Sequence, residues 1–114
     1  MNETWNVSQD ALVNAWQTEL PEYLNPGDTA VVRADLANPH SLRVHIDVEG
    51  RQDYSFDFQC SYMDRREVQV NLVDVEREGQ TVNERSEQVQ NLAEDYVRHI
   101  HECAQALHRI TNPT

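Results

Sequence analysis

Lysine is absent. All nine basic residues of this 114-residue chain are arginines, set against twenty acids, and the formal net charge is −11. Without lysine there is no Walker A loop, no Schiff-base nucleophile and no lysine-anchored pyridoxal phosphate. So acidic a chain also lacks the broad basic patch that DNA, RNA or an anionic membrane surface requires. A charged partner is therefore expected to be basic, although an acidic surface also serves solubility alone.

Glycine and cysteine are scarce too. Three glycines leave little material for loops that cradle phosphates. The two cysteines, Cys60 and Cys103, form no CxxC pair and no disulfide framework, which fits a reducing compartment. No apolar run approaches the roughly 18 residues that span a bilayer. The opening stretch MNETWNVSQDALVNAW has acids where a secretory leader has bases. The expectation is a cytoplasmic protein with no membrane contact, and residues 1–114 suffice for one domain with its own core. Serine-nucleophile motifs are missing. The paired acids Asp47 with Glu49 and Glu76 with Glu78 alternate on polar strand faces, where solvation is the ordinary role.

What is present is periodicity. Ser8 is a candidate N-cap with Val7 positioned to staple against Leu12; Leu12, Trp16 and Leu20 then recur at helical spacing until Pro21. After the turn signal NPGD the period becomes two. Ala30, Val32, Ala34 and Leu36 alternate with Val31, Arg33 and Asp35, and Leu42, Val44, Ile46 and Val48 alternate with Arg43, His45, Asp47 and Glu49. A third strand carries Tyr54, Phe56, Phe58, Cys60 and Tyr62 on one face. A fourth has Val68, Val70 and Leu72 in phase but Val73 and Val75 out of phase, which predicts a bulge near Leu72–Val73 or a strand end covered on both sides. Thr81 and Glu84 then have capping-box spacing, with Asn83 as a competing cap, ahead of a long helix expected over Val82 to Ile110. Its stripe is Val89, Ala93, Tyr96, Ile100, Cys103, Leu107 and Ile110, and Glu94, Arg98 and Glu102 form an outer ladder. The predicted fold class is α+β, in the order α-β-β-β-β-α: a four-stranded antiparallel meander with two helices packed on one face.

Three of the five histidines crowd into RHIHECAQALH, residues 98–108. At about 100° per residue, His99 and His101 fall on opposite flanks of the stripe, while His101 and His108 share a flank about 10 Å apart along the axis. The one close chelating set is Asp95, His99 and Cys103, but Cys103 belongs to the apolar stripe. HECAQ lacks the second histidine of the zinc-protease signature HExxH. No metal or other cofactor is expected, and the histidines are read as cover for the seam between helix and sheet. Cys60 and Cys103 are expected to be free core thiols.

The residues therefore point to a small acidic protein-interaction module rather than an enzyme: an adaptor, a chaperone-like protein, or an inhibitor that mimics nucleic-acid charge before a basic partner. Its candidate surface is Arg43, His45, Asp47, Asp57, Gln59, Glu67, Gln69 and Asn71, with Trp5 as an additional exposed aromatic. The alternative is a ligand- or metal-binding domain or enzyme whose site forms in a homodimer around His99 and Cys103. A homodimer could equally use the last helix or a free strand edge.

Overall fold

The computed structural model describes residues 8–48, 54–64, 67–78, 80–83 and 85–111, without the side chains of 110 and 111. Trp5, and with it the expected aromatic contact, lies outside the described residues, as does Ile110's place in the stripe.

Helix α1 (Gln9–Glu19) begins where Ser8 Oγ accepts from the Ala11 N–H, and passes into a 3₁₀ turn at Leu20–Tyr23, with Pro21 in its first turn. Leu12, Trp16 and Leu20 are fully buried. Gly27, with φ of 91°, supplies the left-handed residue of the turn that leads into the sheet.

Strands β1 (Thr29–Ala34), β2 (Ser41–Asp47), β3 (Tyr54–Tyr62), β4 (Val68–Arg77) and β5 (Gln80–Thr81) form one antiparallel sheet in sequential order. The sheet thus has five strands where four were expected; β5 is a two-residue addition that pairs with Glu76 and Arg77. The alternation in β1 misleads at its end. Asp35 stays on the polar face, where its carboxylate accepts from the Ala37 N–H and the Gln59 side chain and closes the turn, and Leu36 is left 98% exposed. The bulge is where the phase switch puts it: Asp57 pairs with Asp74 and Phe58 with Leu72, so Val73 is the extra residue and Val75 returns to the core.

Helix α2 (Glu87–Ala106) starts later than the capping-box spacing suggests. The Val82 N–H still donates to the Val75 carbonyl, extending the β4–β5 ladder, and Thr81 is a strand residue. Asn83 Oδ1 accepts from the Arg85 N–H in a local turn, and the Ser86 hydroxyl caps the helix at Val89. The expected ladder is rearranged as well, with Arg98 pairing Asp95 and Glu102 meeting His99. Leu107 breaks the helix before the short α3 (His108–Thr111).

Both helices bury their apolar sides against the same sheet face. Leu12 and Trp16 of α1 and Tyr96, Ile100 and Cys103 of α2 share one cluster with Val44, Ile46, Phe56, Phe58 and Val75. Among the described residues no helix lies over the opposite face. Gln17 fixes α1 to the sheet's edge: its carboxamide donates to the Ala30 carbonyl (2.9 Å) and accepts from the Val32 N–H (2.8 Å), as a neighbouring peptide group would. Replacing Gln17 with leucine is expected to cost about 1–3 kcal/mol, two modest hydrogen bonds. It should also speed amide exchange at Val32, and unchanged exchange there would contradict this role.

Candidate interaction surface

The uncovered sheet face is organised in rows set by strand register. One row runs Ser41, Ser61, Gln69; the next Arg33, Arg43, Gln59, Asn71; the third Val31, His45, Asp57, Asp74; the fourth Thr29, Asp47, Ser55, Glu76. Seven of the residues expected to form the surface, Arg43, His45, Asp47, Asp57, Gln59, Gln69 and Asn71, thus meet on one face. Glu67 does not join them. It precedes β4 and lines a cleft of about 530 Å³ on the helix side, with Asp64, Arg98, His101, Glu102 and His108.

Charge is segregated along these rows. Arg33 and Arg43 stand directly opposite each other across β1 and β2, and among the described residues neither forms an ion pair. Asp57 and Asp74 are directly opposed across β3 and β4, with Asp47 and Glu76 in the adjoining row. Like charges in directly opposed positions destabilise a sheet. Val31 and Val73, 47% and 42% exposed, add apolar area to the acidic rows. The polar period is legible in the residues, but this segregation is not, because the sorting depends on register.

His45 sits where the two charge groups meet. Its Nδ1 lies 2.8 Å from Asp57 Oδ1 and its Nε2 3.2 Å from Asp47 Oδ1. Two ionised carboxylates can only accept, so the imidazolium alone donates to both. Partial burial disfavours that charge, but the hydrogen bonds and charges of Asp57 and Asp47 outweigh it and raise the His45 pKa above its ordinary 6.5. The resulting stabilisation is complete below the unfolded value and is lost as pH rises through the higher folded one. His45→Gln is therefore expected to flatten the fall in urea midpoint between about pH 6 and pH 8. An unchanged slope would contradict the network.

At the Arg33 end, Asp35 is buried and its pKa is lowered, first by the Gln59 side-chain hydrogen bond (2.7 Å) and then by the Ala37 N–H. The carboxylate holds the β1–β2 turn, and Gln9 Nε2 reaches the carbonyls of Asp35, Asn38 and Ser41 from α1. These are positioning contacts that fix the outline of the face.

The residues considered for metal or thiol chemistry are dispersed. Asp95 pairs with Arg98, and His99 bonds Glu102 at 3.1 Å with its ring edge-on to Tyr96. Cys103 is fully buried. Among the described residues no group of three or more His, Cys, Asp or Glu side chains is arranged to hold a metal ion. Cys60 and Cys103 are free, and burial pushes both thiols up to about 12. A thiol-specific disulfide reagent is expected to label neither cysteine in the native protein at neutral pH and both in urea. Rapid native labelling would overturn that account. His101 and His108 share one flank, on the cleft between α2 and the start of β4.

No helix among the described residues is long and apolar enough to cross a membrane. Comparison with protein-family models, curated proteins and solved structures finds no match to this chain.

Proposed function

We propose that this chain is a small acidic protein-interaction module, an adaptor, chaperone-like protein or inhibitor, that docks a basic partner on its uncovered sheet face. One observation carries the reading: the face sets like charges against each other in register, Asp57 with Asp74 and Arg33 with Arg43. Among the described residues the arginines are unpaired in the free chain and His45 relieves only part of the Asp57–Asp74 opposition, so a partner of complementary pattern would relieve both. Such a partner would set bases over the rows of Asp47, Asp57, Asp74 and Glu76 and acids over the arginines. The net charge of −11 disfavours nucleic acid and anionic lipid as ligands in their own right. Two buried free thiols suit the reducing cytoplasm, the compartment this reading assumes. Buried Cys103 and dispersed His99 and Asp95 give the metal or catalytic alternative no support.

The test is capture from native lysate on the immobilised protein, at low and moderate salt, beside a variant carrying Asp57→Asn and Asp74→Asn. A basic protein should be retained by the wild type at low salt, weakened at moderate salt and lost by the variant. Equal retention by both proteins, or retention of nucleic acid alone, would overturn the reading.

A further inference from the structure

Where β1 gives way to the β1–β2 turn, the uncovered face ends in a cleft of about 670 Å³. Arg33 and Arg43 line it together with Leu36, Ala34 and Ala37. Its other lining groups are already bonded. Asp35 Oδ1 accepts from the Ala37 N–H at 3.0 Å and its Oδ2 from the Gln59 side chain at 2.7 Å, and His45 lies between Asp57 and Asp47. The arginines differ. Among the described residues neither guanidinium has a hydrogen bond or an ion pair, and Arg43 acts on Asp35 only as a longer-range attraction. The two arginines are directly opposed across β1 and β2, with backbones roughly 5.5 Å apart, so their long side chains can converge on one small group.

The chemistry of the cleft identifies that group. A guanidinium presents a planar fork of donors that matches a carboxylate, and a carboxylate between two arginines would relieve their mutual repulsion. The surroundings limit its charge. Arg33, Arg43 and protonated His45 stand beside Asp35, Asp47 and Asp57, so the neighbourhood is balanced. A phosphate dianion or a polyanion adds charge that these acids repel, whereas a single carboxylate can take donors from both arginines. Leu36, 98% exposed, puts apolar surface at the same cleft. The ligand therefore carries one carboxylate with an apolar group close beside it. A chain terminus ending in an aliphatic residue holds both on a single Cα, while an internal aspartate or glutamate has its carboxylate in place of the apolar side chain.

We propose that the cleft is a site for a C-terminal carboxylate: the last residue of a partner protein, aliphatic in side chain, sets its carboxylate between Arg33 and Arg43 and its side chain against Leu36. The proposal rests on the interaction-module reading and names the group that the partner brings to the arginines. Capture of a chain end fixes the partner's direction on the face, leaving its basic residues to run toward the rows of Asp57 and Asp74.

The experiment is an NMR titration of the labelled chain with N-acetyl-AAL bearing a free carboxylate, the same peptide amidated, N-acetyl-AAG with a free carboxylate, and inorganic phosphate. Saturable shifts are expected at the Arg33 and Arg43 Nε–H groups and the Leu36 amide. The free acid should bind about tenfold more tightly than its amide, against the general repulsion of a chain of net charge −11. N-acetyl-AAG and phosphate should each bind more weakly than N-acetyl-AAL. Arg33→Gln with Arg43→Gln should abolish the preference for the free acid without lowering the urea midpoint, since it removes a like-charge opposition. Leu36→Ser should abolish the preference for leucine over glycine and keep that for the acid. Equal affinity for acid and amide, tighter binding of phosphate, shifts confined to other residues, or an undiminished preference in the double variant would overturn the site. Failure of the peptide acid while a basic partner is still captured through Asp57 and Asp74 would overturn this inference and leave the interaction reading standing.

Discussion

Replacing Trp16 with alanine is expected to lower the unfolding free energy by about 3–5 kcal/mol, a large share of the roughly 5–15 kcal/mol that holds a small domain together. Trp16 is fully buried and is the largest side chain of the α1 face, between Leu12 and Leu20. Its Nε1 donates to the Tyr62 hydroxyl at 3.1 Å, and the two rings meet edge to face with centroids 6.4 Å apart. Truncation removes that area from the core and leaves a cavity between α1 and β3. Trp16→Phe separates the contributions, since it keeps an aromatic ring but removes the donor. It should cost about 1–3 kcal/mol, the smaller part being the single hydrogen bond. Urea unfolding of the three proteins gives the values. An alanine variant within about 1 kcal/mol of the wild type would mean that α1 is not integral to the core.

The second large effect concerns association. Reversing two outward acids of the fourth row, Asp47→Arg with Glu76→Arg, is expected to slow binding of a basic partner by about 10- to 100-fold at low ionic strength. Asp47 has its side chain 60% exposed and lies across β3 from Glu76 in the same row. The substitutions change the field ahead of the face while leaving the apolar side of the sheet untouched. Stopped-flow measurement at low and moderate salt should show the deficit shrinking as salt rises, because the screening length falls to about 8 Å at physiological ionic strength. A loss that appeared wholly in dissociation and ignored salt would point to apolar docking elsewhere.

Much of this arrangement is legible in the residues themselves. Two-residue alternation marks β2 and β3 because one face is buried and the other solvated, and the phase change after Leu72 marks the bulge at Val73. Where the reading misses, a local hydrogen bond overrides a pattern. Leu36 continues the alternation of β1, but Asp35 is held by Gln59 and Ala37 and ends the strand first. Thr81 and Glu84 have the spacing of a cap, yet the Val82 N–H remains in the β4–β5 ladder, and Ser86, followed at once by acidic Glu87, is the cap in fact. The outward face was legible as a set of polar positions. The opposition of Asp57 to Asp74, the capture of His45 by two carboxylates and the sealing of β1 by Gln17 were not, since each depends on which strands pair and in what register.

The central claim is that the uncovered sheet face receives a basic partner. Hydrogen exchange of the captured complex, compared with the free chain, tests it directly. The account predicts added protection and retarded opening at β2 to β4, centred on residues 43–47, 55–59 and 68–76, with the outer side of α2 around Glu94 and Arg98 unchanged. Protection confined to α2, with the sheet exchanging as in the free chain, would contradict it.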